Sequence, residues 1–224
     1  MTAFFITATG TDIGKTFVAT ELIRHFRRAG RAIDAFKPVV AGFDPAQVET
    51  SDPGRLLSAL GKPIVADEIA RISPFRFAAA LAPDLAARRE NRTLDFAALV
   101  AFSQRAIQNH SGTLLIEGVG GIMAPLDERH TVLDWMTALQ LPLVLVAGSY
   151  LGSISHTLTC LDVLQRRALA IRALVVSETA GSTVPLADTV ATVAGFAPSL
   201  PIVGLRRLPA QSESGVIDRI SLLL

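Results

Sequence analysis

Apolar residues recur along this chain with two different periods, and the alternation of those periods predicts its architecture. Ala3-Phe-Phe-Ile6 is a short, aromatic-rich run of the kind a buried strand uses. Phe17 to Arg27 then sets Val18, Leu22 and Phe26 on one helical face with Ala19 and Ile23 beside them, and Ala29-Gly30 offers a stop. Arg31 to Phe36 reads as a second strand, closed by Lys37-Pro38, because proline holds the residue before it in extended geometry. A loop rich in Gly, Asp and Pro leads to Ser51-Asp52-Pro53, where Asp52 is expected to cap a helix running through Gly54 to Leu60. Residues 64–92 read as short helices and connections. Leu94 to Asn109 reads as a helix with Phe96, Leu99, Val100 and Ile107 available to the core.

Thr113 to Glu117 is the next strand, followed by Gly118-Val-Gly-Gly121. Thr131-Val-Leu-Asp134 spells a capping box for a short helix through Leu139. Leu141 to Ala147 is a continuous apolar run, as a strand buried on both faces requires. A helix over Gly152–Ala168, a strand over Ala170–Val176, a helix over Pro185–Gly195 and a strand over Pro201–Leu205 follow, with a closing helix expected from Ser212 to Leu224. Six strands alternating with helices predict an α/β fold built on a mostly parallel sheet with helices on both faces. No linker, repeat or low-complexity tract divides the chain, so residues 1–224 are expected to form one domain. In such folds ligands bind at the carboxyl ends of the strands.

Composition narrows the class of partner. Half of the 224 residues are hydrophobic and 18% are charged, which suits a packed globule. Lys and Arg number 21 against 20 Asp and Glu, so no charge excess draws the chain to nucleic acid or to a membrane surface. Cys160 has no partner for a disulfide, His25, His110, His130 and His156 are scattered, and no cluster has zinc spacing. Neither a signal peptide nor a membrane-length apolar run is present, so a cytoplasmic protein is expected.

The chemistry starts between the first strand and the first helix, at Thr7-Ala-Thr-Gly-Thr-Asp-Ile-Gly-Lys-Thr16. Glycine lets backbone N–H groups close around phosphate oxygens, and the helix N-terminus adds its partial positive charge. Lys15 supplies a full charge and Thr16 a hydroxyl for a magnesium ion. The usual glycine five residues before Gly14 is Thr9 here, and the six-residue variant places Ala8 at that position. Two further charges fall at strand ends. Glu117 follows an aliphatic strand and precedes Gly118, Gly120 and Gly121, the layout of the acidic residue that serves magnesium in nucleotide-binding P-loop folds. Lys37 ends the second strand, where a buried ammonium is costly unless an anion meets it. Asp52 fits two roles equally, a third oxygen for magnesium or a helix cap. A salt bridge for Lys37 and a loop contact for Glu117 are the plain structural alternatives. Cys160, His156 and Trp135 read as packing or structural residues.

Taken together, Thr9 to Thr16, Lys37-Pro38-Val39, Ser51-Asp52, Glu117 to Gly121 and Leu151-Gly-Ser-Ile-Ser-His-Thr-Leu-Thr159 resemble the dethiobiotin synthetase family in their order and in chain length, from the first strand to at least the fifth. The phosphate loop alone would also admit partition ATPases and cobyrinate-type amidotransferases; Lys37-Pro38 and Leu151-Gly152 are the more specific features. The resemblance implies a P-loop NTPase-like fold and an enzyme that uses ATP, Mg²⁺ and carbon dioxide to close a ureido ring on 7,8-diaminononanoate, in biotin biosynthesis. It implies a carbamate on one amine, a carbamic–phosphoric anhydride, and displacement of phosphate by the second amine. Matched by position, Asp12, Ile13, Gly14, Lys15, Thr16 and Phe17 would wrap the nucleotide with Gly118, Val119 and Gly120, and Thr11 would face the reacting groups. Thr16, Asp52 and Glu117 would serve the metal, Lys37 the carbamate, and Leu151 with Gly152 the substrate's distant carboxylate across a homodimer interface. The chain departs from the family at Ala8, Ala41, Ser155 and Ser177-Glu178, the last replacing an Asn-Asp pair that helps read adenine. The competing class is a partition-type nucleotide switch that binds protein partners. Such proteins commonly carry a second lysine early in the phosphate loop, where this chain has Thr9, Thr11 and Asp12, and a switch has no evident use for Lys37. A dinucleotide-binding oxidoreductase is weaker still, since Gly-x-Gly-x-x-Gly is absent after the first strand.

Overall fold

Residues 2–206 and 214–224 are described by the structure, a computed structural model. Strand β1 (Thr2–Ala8) leads through the phosphate loop into helix α1 (Lys15–Arg28), and β2 (Ile33–Phe36) follows. The later elements are β3 (Val39–Ala41), α2 (Asp52–Leu60), α3 (Ala66–Ile72), β4 (Phe75–Phe77), α4 (Pro83–Arg89), α5 (Phe96–Asn109), β5 (Thr113–Glu117) and α6 (Val132–Leu139). The chain then runs through β6 (Leu143–Gly148), α7 (Ser153–Arg166), β7 (Ile171–Ser177), α8 (Leu186–Phe196), β8 (Ile202–Leu205) and α9 (Ser214–Ser221). The six strands expected from the apolar runs form one sheet in the order β2-β5-β1-β6-β7-β8, and every pairing is parallel. All strands therefore end on the same edge, with β1 in the middle.

Burial explains why these segments hold. Phe4, Phe5 and Ile6 of β1 are fully buried, as are Val18, Ala19, Leu22, Ile23 and Phe26, the helical face read from the sequence. Each such large side chain contributes roughly 1.5–3 kcal/mol on leaving water. Phe5 meets Trp135 edge-on at 4.8 Å between ring centroids, and the indole Nε1 donates to Ser103 Oγ at 3.1 Å, so the buried tryptophan leaves no orphan donor. Thr131 and Asp134 make the capping box that opens α6.

Three expectations are corrected. The cap of α2 is Ser51, whose Oγ accepts from Gly54 N, while Asp52 occupies the first helical turn; this leaves the Asp52 carboxylate free for other partners. Residues 64–92 hold a strand as well as two helices: β4 pairs in parallel with β3 in a separate two-stranded sheet. Three-residue strands made by a long-range pairing carry too short an alternation to be read locally. Ala8 is a buried strand residue paired with Val146, not the opening of the loop. Residues 212–213 of the closing helix lie outside the described residues; Ser214–Ser221 is helical, and the helix stops three residues short of the expected end at Leu224.

Candidate active site

At the carboxyl edge, β1 turns into a loop held by unusual backbone geometry. Asp12 adopts φ 56°, a left-handed conformation that Asp tolerates better than most residues, and Gly14, at φ 113°, caps α1. The second glycine-rich loop braces the first: Ile122 N donates to Ala8 O at 3.1 Å, and a Cβ on Gly121 would lie 3.2 Å from the backbone of Gly10. Gly121 is thus needed for contact between two loops. The Ala8 side chain points into the core, and its carbonyl serves this brace.

Four predicted residues meet beside the loop. β2 and β5 are neighbours in register, Phe36 opposite Ile116, so the next residues along, Lys37 and Glu117, face each other. Lys37 Nζ donates to Glu117 Oε1 at 2.6 Å and to Gly118 O at 2.8 Å, and stands 3.0 Å from Asp52 Oδ2. Thr16 Oγ1 lies 2.9 Å from Asp52 Oδ1 and 2.7 Å from Glu117 Oε1; with one hydrogen it can donate to only one of them at a time. Glu117 Oε2 is buried with no hydrogen-bond partner. Two carboxylates and a hydroxyl brought together here, one carboxylate with an orphaned oxygen, fit a hard cation that keeps part of its water shell, and the set is too small for a dedicated all-protein cage. No cluster of three or more His, Cys, Asp or Glu exists among the described residues.

Burial and charge set the electrostatics. Burial works against the Lys37 ammonium, but Glu117 and then Asp52 outweigh it and hold its pKa above the ordinary lysine value. Burial pushes the Glu117 carboxyl up, with Lys37 opposing. Asp52 is held below the usual carboxylate range: Lys37 and Thr16 overcome its burial. Lys15, whose Nζ donates to Gly10 O at 3.1 Å, is brought down to about 8, first by burial and then by the positive charge of Lys37.

A cleft of about 940 Å³ opens over these groups. Thr11, Asp12, Gly14, Lys15, Thr16 and Phe17 form one wall, with Lys37, Asp52, Val119 and Gly120 completing it. Glu117 and Gly118 lie behind Lys37, out of the cleft, and the Ile13 side chain is buried in the core. Leu151 and Gly152 are not brought to this cleft. They follow β6 on the same sheet edge, Leu151 89% exposed and Gly152 capping α7 at φ 94°. Two parts of the site escaped the sequence reading. Arg55, one turn beyond Asp52 on α2, lines the cleft, as does the small apolar stretch Ala80-Leu-Ala-Pro83. The spacing of Arg55 from Asp52 was the available signal. The Ala80 stretch gave none.

Comparison with known proteins agrees with this geometry. Among solved structures, the MinC:MinD cell division protein complex of Aquifex aeolicus superposes with a TM-score of 0.54 at 11% identity, over 98% of this chain and 86% of that one. A ParA family ATPase from Chlorobium tepidum TLS superposes at 0.52 and 13% identity, over 100% and 91%. At such identities the likeness speaks to the fold, that of P-loop NTPases, and to nothing finer. A family model described as an AAA domain matches residues 2–214. The chain is 48% identical over 209 residues to the ATP-dependent dethiobiotin synthetase BioD of Phenylobacterium zucineum, covering 92% of this chain and 89% of that protein. It is 50% identical over 190 residues to the BioD of Acidiphilium cryptum, covering 84% and 85%. With about half its residues shared over nearly its whole length, the chain belongs to the family of ATP-dependent dethiobiotin synthetases.

Proposed function

We propose that this enzyme closes the ureido ring of dethiobiotin on 7,8-diaminononanoate, taking the carbon from CO₂ and the driving force from ATP. The observation that carries the reading is Lys37: a 2% exposed ammonium held at 2.6 Å from Glu117, on the wall of a cleft it shares with Lys15 and Thr16. A buried cation at this position has a use in a reaction that builds an oxyanion next to the phosphates.

One amine of the substrate adds to CO₂, losing a proton and giving a carbamate. A carbamate oxygen attacks the γ-phosphorus, the bond to the β-phosphate oxygen breaks, and ADP leaves. The second amine attacks the carbonyl of the resulting anhydride and gives up a proton to solvent, and the C–O bond breaks to release phosphate. Asp12 through Phe17, with Lys15, hold the phosphates through backbone N–H groups and the helix start. Val119 and Gly120 border the nucleotide, and Thr11 faces the reacting groups. Lys37 binds the carbamate oxyanion, and the apolar stretch at Ala80–Pro83 suits an alkyl chain. Thr16, Asp52 and Glu117 would hold Mg²⁺, which when bound would supply positive charge against the phosphates. Fixing both amines over one carbonyl makes ring closure effectively intramolecular.

The active form is a homodimer in this reading. Leu151 is a large, almost fully exposed apolar residue beside a helix start with no side-chain cap, which supports a role for Leu151 and Gly152 in holding the substrate carboxylate at a subunit boundary. We infer that the enzyme works in the cytoplasm, in keeping with a biosynthetic enzyme family. Among the described residues no helix is long and apolar enough to cross a membrane. The test is purified protein with Mg²⁺, ATP, the diamine and labelled bicarbonate. Label in an acid-stable product, with phosphate release that requires the diamine, supports the reading; ATP turnover indifferent to the diamine sinks it.

A further inference from the structure

Among the described residues three cations line the cleft, and two of them, Lys15 and Lys37, have partners within the protein. Lys15 donates to Gly10 O, and Lys37 is shared among Glu117, Asp52 and the Gly118 carbonyl. Arg55 lines the same cleft, is exposed, and makes no ion pair or side-chain hydrogen bond with another described residue. Its placement is not loose. The Asp52 carboxylate is tied to Thr16 at 2.9 Å and to Lys37 at 3.0 Å, which fixes which side of α2 faces the phosphate loop. Ser51 caps the helix, and a Cβ at Gly54 would run into the Val48 carbonyl, so α2 is seated against the segment before it. Arg55 follows Asp52 by three residues, on the same helical face and within one turn of about 5.4 Å. It lines the cleft together with the phosphate loop and the uncharged residues Ala41 and Ala80 to Pro83.

Charge gives this position a purpose. Beside Lys15 and Lys37 the cleft wall carries the Asp12 and Asp52 carboxylates, so a further cation on that wall favours an anionic ligand there. We propose that Arg55 binds the terminal phosphoryl group of the bound nucleoside triphosphate, and so distinguishes triphosphate from diphosphate. With the inner phosphates in the loop backbone at the start of α1, the terminal one would project past Lys15 toward Lys37 and Asp52, the side on which α2 lies. A guanidinium presents two parallel N–H donors that match two phosphoryl oxygens, and it stays charged at every working pH.

This rests on the nucleotide reading above, and the experiment separates the two. Binding of ADP and of a non-hydrolysable triphosphate analogue, each with Mg²⁺, is measured by calorimetry for the intact enzyme, Arg55→Ala and Arg55→Lys. Arg55→Ala is expected to weaken the triphosphate analogue by about tenfold or more while ADP stays within about twofold, as fits the loss of a charged hydrogen-bond pair. Arg55→Lys should recover part of that loss. The exposed position predicts an unchanged melting temperature, which keeps the comparison clean. An equal loss for both nucleotides, or no loss for the triphosphate, overturns the proposal. So does intact triphosphate binding with a raised KM for the diamine, which would put the guanidinium on the carbamate. Failure of the unaltered enzyme to bind either nucleotide would break the ATP reading instead.

Discussion

Lys37 and Glu117 meet inside the protein, Nζ to Oε1 at 2.6 Å, although 80 residues separate them in the chain. The contact follows from sheet geometry: β2 and β5 pair in register, so the residues at their ends face one another. A buried ion pair is a poor way to gain stability, because desolvating two charges offsets most of their attraction. Its persistence here is explained by use, since the pair holds one cation and one carboxylate at the edge of the phosphate site.

Replacing Lys37 separates its structural part from its chemical one. Lys37→Met should lower turnover by about a hundredfold or more, the scale of a lost oxyanion donor, while ADP binding changes little. It should also destabilise the fold by roughly 3–5 kcal/mol, because Glu117 is left buried and unpaired. Lys37→Met combined with Glu117→Gln should recover much of the stability and none of the turnover. Denaturant melts and steady-state rates of both variants check this; near-normal turnover in either contradicts the role given to Lys37.

Asp52 and Glu117 are the carboxylates proposed to hold the metal. Asp52→Asn and Glu117→Gln should each weaken divalent cation binding in the presence of ADP by at least about tenfold. Mn²⁺ binding followed by electron paramagnetic resonance reads this without any turnover. Affinities unchanged in both variants would remove the cation from this position.

Lys15 predicts a pH dependence with a definite sign. Its pKa is about 8 in the folded protein against 10.5 in the unfolded chain. Below pH 8 both states carry the proton and the burial cost is present in full; between 8 and 10.5 only the unfolded chain keeps it, so this group's contribution to stability rises with pH across that window. Phosphate binding runs the other way, because it needs the charged form. ADP affinity should fall as pH rises above about 8, by up to roughly tenfold per unit, and Lys15→Met should flatten the profile. A flat profile in the unaltered protein contradicts it.

Gly118 links packing to chemistry. A Cβ there would lie 2.8 Å from the Phe5 ring, and the Gly118 carbonyl accepts from Lys37. Gly118→Ala should cost about 1–3 kcal/mol as overpacking and lower turnover by shifting Lys37. Unchanged melting and turnover would show that the loop yields without consequence.

Much of this was legible in the chain. The apolar runs marked all six strands of the main sheet because a central parallel strand is hydrophobic on both faces, as Leu143 to Gly148 is. Lys15, Thr16, Lys37 and Glu117 were legible because strand-end position and glycine spacing are local signals. The capping of α2 was misread, since Ser51 and Asp52 are adjacent and both are good caps; only the structure shows that Ser51 takes the role. The β3–β4 pair, the Ala80 stretch and the facing of Arg55 into the cleft depend on long-range packing, which no local pattern records.

The central claim is that a carbamate oxygen attacks ATP. If so, one oxygen of carbon dioxide must leave in the phosphate when the ring closes. Enzyme, Mg²⁺, ATP and the diamine are given freshly supplied ¹⁸O-labelled CO₂, and the released phosphate is examined by mass spectrometry during the first turnovers. One ¹⁸O per phosphate, formed in step with the ring product, is the predicted result; phosphate carrying only the oxygens of ATP and water would contradict it.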